Sequence, residues 1–86
     1  MFGVKIYEMN DFYWVAARSI KEATTFFRES IEPREIIYPF ELSKHAMKTL
    51  KYRHESLGFN VSFRCMLAIK LASGFRPPFL FGASEN

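Results

Sequence analysis

A helix start followed by one apolar stripe limits this chain to folds in which a helix packs on another element. Ser19 and Glu22 have the spacing of a capping box, in which each side chain accepts a hydrogen bond from an unpaired amide at the helix start. A single stripe then recurs at helical spacing, formed by Ile20, Ala23, Thr24, Phe27 and Ile31. The pattern predicts a helix over about 20–31 that ends at or before Pro33.

A β-hairpin is predicted just before this helix. Asn10 and Asp11 form its turn, because both residue types tolerate positive φ. The flanking residues 4–9 and 12–17 have strand composition. A two-residue loop would give a core face of Val4, Ile6, Val15 and Ala17. The opposite face would be aromatic and would carry Tyr7, Met9, Phe12 and Trp14. Either the rest of the fold covers that face or a partner contacts it.

The remaining residues complete an α+β fold, which we expect to form a single compact domain over 1–86 because the chain has room for one core. The expected elements are a helix capped by Ser43 over about 43–49, a strand over about 50–54, an apolar helix over about 63–73 and a closing strand over about 79–84. The expected connections are residues 32–42, with apolar plugs at Ile36, Ile37 and Phe40, and a loop over 55–60 with a turn at Gly58.

The helix over 63–73 is predicted to be apolar nearly all the way round. Ser62 caps it, Gly74 ends it, and the sole interruptions are Arg64, Lys70 and Ser73. Such a helix is usually covered on more than one side. Either two elements of the same chain or a second protein would cover it, and one hypothesis is a homodimer with this helix as its seam.

No catalytic or metal-binding set is recognisable in the sequence. His45, His54 and Cys65 are the one conceivable nucleophilic or metal-ligating group, and their spacing matches no known site. Cys65 is expected to pack as a small hydrophobe. We therefore expect no enzyme activity, no cofactor and no metal. A single cysteine, no signal-peptide pattern and no apolar run of about 18 residues favour a cytoplasmic protein that does not enter a membrane.

Positive charge is concentrated in the second half of the chain. The net charge is +3, and residues 44–86 contain seven Lys or Arg against two acids. A basic stripe is formed by Lys44, Lys48, Lys51 and Arg53, with His45 and Tyr52 among them. Two interpretations stay open: a solvated face that keeps the protein soluble, or contact with nucleic acid through phosphates and base stacking.

The order of these segments resembles a family of small uncharacterised bacteriophage and prophage proteins. The similarity is carried by Val4–Asp11, by Trp14–Ala17, and by Ser19–Ala23, and continues through Ser62-Phe63-Arg64 to Pro78–Phe81. Lys44 and Lys48 occupy stretches in which that family carries acids, and Cys65 replaces a capping-box glutamate.

The resemblance implies an accessory protein that acts in the cytoplasm of the host cell by binding a host protein, plausibly as an anti-CRISPR-like inhibitor of a defence effector. The expected contact residues are Tyr7, Phe12, Trp14, Lys44, Lys48, Lys51 and Arg53. A chain at +3 is a poor mimic of DNA, so a protein surface is the expected target. The alternative is a small nucleic-acid-binding protein that uses the basic segment 44–53.

Overall fold

A computed structural model describes residues 3–54 and 58–84, and it confirms the α+β class. The elements, in chain order, are β1 (Lys5–Glu8), β2 (Tyr13–Ala17), α1 (Ile20–Ser30), β3 (Phe40–Glu41), α2 (Lys44–Thr49), β4 (Lys51–His54), β5 (Phe59–Ser62), α3 (Phe63–Ala72) and β6 (Phe79–Ala83). The predicted hairpin, the three helices, the strand after α2 and the closing strand are all present.

The chain divides into two compact units. The first, which we call the sheet unit, consists of Met1–Glu41 and Arg76–Asn86. Its four antiparallel strands have the order β3-β1-β2-β6, and α1 packs on β2. The second, which we call the basic unit, consists of Leu42–Phe75 and contains α2, α3 and the two-stranded sheet β4-β5. The expectation of one domain over residues 1–86 stays a prediction.

The N-terminal hairpin forms, but its predicted register is wrong by one residue. Tyr7 pairs with Val15, and because the Met9 N–H donates to the Tyr13 carbonyl at 2.9 Å, the turn holds three residues instead of two. Within that turn the Phe12 N–H donates to Oδ1 of Asn10 at 2.8 Å, an Asx turn that draws Phe12 out of the strand. Since side chains alternate along a strand, the shift places Trp14 on the opposite sheet face from Tyr7.

The core of the sheet unit lies between this hairpin and α1. Six buried residues form it: Tyr7, Met9, Val15, Ala17, Ala23 and Phe27. Phe27 is completely buried, and its ring meets the edge of Tyr13 with centroids 5.3 Å apart. Burial of one such side chain stabilises a fold by about 1.5–3 kcal/mol. Ile6 and Ala16, which share the other sheet face, are buried as well.

The start of α1 is fixed by the predicted capping box. The Glu22 N–H donates to the Ser19 hydroxyl at 3.0 Å, and the Glu22 carboxylate accepts from the Arg18 N–H at 2.8 Å. At the other end, the Arg28 guanidinium donates to the backbone carbonyls of Pro33 and Glu35. The connector that follows α1 is therefore tied back to its last turn.

The connector over residues 32–42 differs from its prediction. Ile37 packs against the core of the sheet unit as expected. Ile36 and Phe40 do not act as plugs, because both side chains are exposed to solvent. The segment is extended at its end, where Phe40 pairs with Glu8 and forms β3 at the edge of the sheet. A strand of two residues has too short a pattern to be predicted from the sequence.

In the basic unit, β5 is the element that the sequence did not predict. The expected loop over 55–60 contains the first half of this strand, which pairs with β4 in antiparallel register. Residues 55–57 of that loop lie outside the described residues. Gly58 has a φ of 71° and supplies the predicted turn, since this left-handed conformation is open to glycine without a Cβ clash.

Helix α3 follows β5 directly and is less buried than its composition predicts. The Cys65 N–H donates to the Ser62 hydroxyl at 3.0 Å, so Ser62 caps the helix as expected. Phe63, Met66 and Leu67 are its buried residues. Its C-terminus is closed by Gly74, which has a φ of 96°.

Candidate partner-binding surfaces

The three aromatic residues predicted to contact a partner do not share one surface. Tyr7 is 5% exposed and belongs to the core of the sheet unit, so it is not a surface contact. Phe12 lies half-buried in the hairpin turn. Trp14 is half-buried on the other sheet face, where its indole N–H donates to the Glu8 carboxylate at 3.1 Å. The one-residue shift of register separates them.

A different set of large apolar side chains is exposed on the sheet unit. Ile36 is 72% exposed, Tyr38 78% and Phe40 50%. They alternate with the half-buried Ile37 and Pro39, as expected for an extended segment that turns one side to solvent. We call Ile36, Tyr38 and Phe40 the exposed apolar strip.

The exposed apolar strip is held in place by bonds to the hairpin. The Tyr38 N–H donates to the Met9 carbonyl at 2.9 Å. The Asn10 side-chain amide donates to the carbonyl of Ile36 and to the carboxylate of Glu35, both at 3.3 Å. Backbone and side-chain bonds therefore fix the strip on a packed sheet, which lowers the ordering entropy that a partner would have to overcome.

The strip continues onto the sheet face that carries Trp14. Phe40 pairs with Glu8, and Glu8 pairs with Trp14, so these three residues form a row across β3, β1 and β2. Directly paired residues of an antiparallel sheet point to the same side. The row joins an exposed ring, a carboxylate and an indole on one face.

The period-2 alternation over 36–41 is the signal by which the strip is detectable in the sequence. Ile36, Tyr38 and Phe40 fall on one side of an extended segment, and Ile37 and Glu41 on the other. The signal was missed because Pro33 and Pro39 mark the segment as a connector. Proline is in fact compatible with an edge strand, which leaves one row of backbone groups without a neighbouring strand.

The four predicted basic residues are all exposed and all belong to the basic unit. Lys44 and Lys48 lie one helical turn apart on α2. Lys51 does not continue their stripe, because α2 ends at Thr49 and Lys51 opens β4. Arg53 is two residues further along β4 and therefore shares a sheet face with Lys51.

The two faces of the β4-β5 hairpin differ in character. On one face Tyr52 pairs with Val61, and its ring meets that of Phe63 at 6.2 Å, with the Lys70 ammonium 5.3 Å from the Tyr52 centroid. These contacts engage Tyr52, which is half-buried, in the packing of α3. The other face carries the exposed cations Lys51 and Arg53.

No carboxylate accompanies these cations within the described part of the basic unit. The unit contains six Lys or Arg and a single acid, Glu55, which lies outside the described residues. Asn60, which pairs with Arg53, is exposed and uncharged. Residues 42–54 and 58–75 therefore combine a dense positive charge with hydrogen-bonding groups.

Of the three residues considered for catalysis, the structure describes the side chains of His45 and Cys65. Cys65 is exposed in the first turn of α3, so its predicted packing as a buried hydrophobe is wrong. His45 is exposed on α2, and the side chain of His54 lies outside the described residues. Among residues 3–54 and 58–84, no three His, Cys, Asp or Glu side chains come close enough to hold a metal ion.

Two groups of the sheet unit have shifted pKa values. The pKa of Lys5 is raised by its hydrogen bond and ion pair with Glu41, whose carboxylate lies 3.0 Å from the Lys5 ammonium. The pKa of Tyr7 is raised chiefly because burial disfavours the phenolate, with a further contribution from the Glu41 charge. The shift at Lys5 follows from ion pairing, and the shift at Tyr7 follows mainly from burial.

Comparison with known proteins yields no relative. No family model matches the chain, and neither does any curated protein or any solved structure. The similarity to small phage proteins therefore stays a prediction. None of the helices within the described residues has the length and apolar character that crossing a bilayer requires.

Proposed function

We propose that this protein acts by stoichiometric binding to another protein through the exposed apolar strip. The observation that carries the proposal is the joint exposure of Ile36, Tyr38 and Phe40 on one side of a bonded segment. Contiguous exposed apolar side chains mark interaction sites on small proteins. Aromatic residues are enriched in the interface regions that become fully buried.

The resemblance to phage accessory proteins supplies the class of partner. The proposed target is a host protein, with a CRISPR effector or another defence complex as the leading candidate, encountered in the cytoplasm of the host cell. An inhibitor of this kind occupies a surface that its target needs. Such a mechanism requires affinity and shape, and it requires no nucleophile, cofactor or metal.

The test is co-purification followed by titration. Tagged protein expressed in a bacterial host with an active CRISPR system should retain the partner, which mass spectrometry identifies. Isothermal titration calorimetry with that purified partner should then saturate at a fixed molar ratio. The double variant Tyr38→Ala/Phe40→Ala should bind at least about 30-fold more weakly, since truncating a central aromatic commonly costs more than about 1 kcal/mol.

Phe59→Ala is the matched control for this experiment. Phe59 is 56% exposed, close to the 50% of Phe40, but belongs to the basic unit. Its truncation should leave affinity for the partner unchanged. Equal affinities for the wild type and the double variant would refute the assignment of the strip.

A further inference from the structure

We propose that the basic unit binds the phosphate backbone of nucleic acid through Lys44, Lys48, Lys51 and Arg53. This inference is independent of the proposed function, because it concerns a different surface in the other unit. It depends on where α2 and β4 place their cations, and on the composition of the residues around them.

The cations are spaced along each element at intervals that suit a charged polymer. Lys44 and Lys48 are four positions apart on a helix, a rise of about 6 Å along the helix axis. Lys51 and Arg53 are two residues apart on a strand, a rise of about 6.6 Å. One strand of duplex DNA carries a phosphate about every 3.4 Å of helix axis, so each pair matches about every second phosphate.

The large excess of cations over carboxylates in the basic unit favours a polyanion. A solubilising surface usually mixes both signs of charge, and mixed signs cancel the field at a distance. In residues 42–75 the sequence has six Lys or Arg against a single acid, Glu55. The net charge of these residues is therefore +5, and a dense positive charge is the condition under which phosphate contacts release condensed counterions.

All four cations are exposed to solvent. Tyr52, between Lys51 and Arg53 in the sequence, lies on the packed face of its hairpin, so the two cations lie on the exposed face. Asn60, on the same exposed face as Arg53, adds an amide that can donate to a phosphate oxygen. Nucleic acid fits this surface better than an acidic protein, whose carboxylates are separated by other side chains and seldom form a continuous line of charge.

The test is a salt-dependent titration of fluorescein-labelled 20-nucleotide single strands and of the matching duplex. Fluorescence polarisation at 50, 100 and 200 mM NaCl gives the slope of log K against log salt. Four phosphate contacts should give a slope of about −2.8 for single strands and about −3.6 for the duplex, which is a loss of about 50- to 150-fold in affinity over this range. The double variant Lys51→Gln/Arg53→Gln should weaken binding about 10- to 100-fold at 100 mM and flatten the slope by nearly 2.

Two further variants test whether a loss of binding comes from this surface and not from a lower net charge or from misfolding. Lys21→Gln/Arg34→Gln removes two exposed cations of the sheet unit and should bind like the wild type. Lys44→Arg/Lys48→Arg/Lys51→Arg keeps every charge and should retain binding. Equal losses in the two Gln double variants would overturn the assignment to the basic unit. Absence of binding at 50 mM, or displacement of the oligonucleotide by polyglutamate at equal charge concentration, would overturn the proposal.

Discussion

The sheet unit and the basic unit differ in their charge and in the apolar residues that they bury and expose. The sheet unit has six Lys or Arg against eight acids, buries Phe27 completely on its sheet, and yet exposes Ile36, Tyr38 and Phe40. The basic unit has six Lys or Arg against one acid, and its buried apolar residues are Leu42, Phe63, Met66 and Leu67. The exposed apolar strip and the segment that carries Lys44, Lys48, Lys51 and Arg53 therefore belong to different units, which indicates separate contacts for each, although the basic unit also exposes Phe59 and Phe75.

The difference also predicts where the stability of the fold lies. The core of the sheet unit joins a helix to two paired strands, while α2 has six residues and none of them is buried. Short helices with little burial depend on their caps and neighbours for stability. We therefore expect substitutions in the core of the sheet unit to have the largest effects on unfolding.

Phe27→Ala should be the most destabilising of the changes considered. Its ring is fully buried against Tyr13, so truncation removes apolar burial and leaves a cavity, at a cost of about 3–5 kcal/mol. Urea unfolding followed by the fluorescence of Trp14, the single tryptophan, measures this loss in the sheet unit. Phe59→Ala, at an exposed ring, should change the free energy of unfolding by less than about 0.5 kcal/mol. Similar costs for the two variants would contradict the proposed distribution of stability.

The elements that the sequence predicted correctly are those set by local chemistry. The hydroxyls of Ser19, Ser43 and Ser62 each accept a bond from the amide three residues ahead, and each begins a helix where expected. Gly58 and Gly74 adopt the positive φ that marks the predicted turn and helix end. These signals need no knowledge of distant residues.

The errors arose where distant residues or small differences in loop length decide the structure. The hairpin register depends on whether Phe12 joins the strand or the turn, and one Asx hydrogen bond to Asn10 selects the turn. The pairing of β3 with β1 links residues far apart in the sequence, and nothing local in Phe40 indicates its partner Glu8. The predicted aromatic surface changed for the first of these reasons, because the shift of register places Tyr7 in the core and Trp14 on the opposite sheet face.

Ser19→Ala should have the next largest effect, because it removes the cap that begins α1. The Glu22 N–H would lose its 3.0 Å acceptor, at a cost of about 0.5–2 kcal/mol in the free energy of unfolding. Ser30→Ala is the matched control, since Ser30 is exposed in the last turn of the same helix. Urea denaturation followed by circular dichroism compares them, and a cost for Ser30→Ala equal to that for Ser19→Ala would show that the cap is not the cause.

Cys65→Gln should stabilise the protein slightly by completing a capping box at the start of α3. That helix has the bond to the Ser62 hydroxyl but lacks the second bond, which Glu22 makes in α1. Cys65 occupies the third helical position, where Glu22 in α1 bonds back to the Arg18 N–H. A glutamine there should accept from an amide before α3 and raise the free energy of unfolding by a few tenths to about 1 kcal/mol. Cys65→Ala, which supplies no acceptor, is the control. A gain shared by Ala and Gln would point to helix propensity instead of the box.

The smallest predicted effect is a loss of stability against unfolding at high pH, caused by two residues of the sheet unit. Burial raises the pKa of Tyr7 in the folded state above its ordinary value of 10.0. At a pH between 10.0 and the folded-state pKa, the folded protein therefore keeps a proton that the unfolded protein releases. The resulting stability is fully present below pH 10.0 and is lost as pH rises through the folded pKa. Lys5, whose pKa is raised above 10.5 by Glu41, acts in the same direction.

Urea unfolding of the wild type should therefore show a midpoint that is constant from pH 8 to 9.5 and falls from pH 10 to 11. In Tyr7→Phe the fall should be shallower, because one of the two groups no longer titrates, while Lys5→Met should remove the other contribution. Tyr38→Phe alters a phenol that is 78% exposed and should follow the wild type. If Tyr7→Phe and Tyr38→Phe declined alike, the alkaline loss would not come from burial of Tyr7, and the corrected hairpin register that places it in the core would be in question.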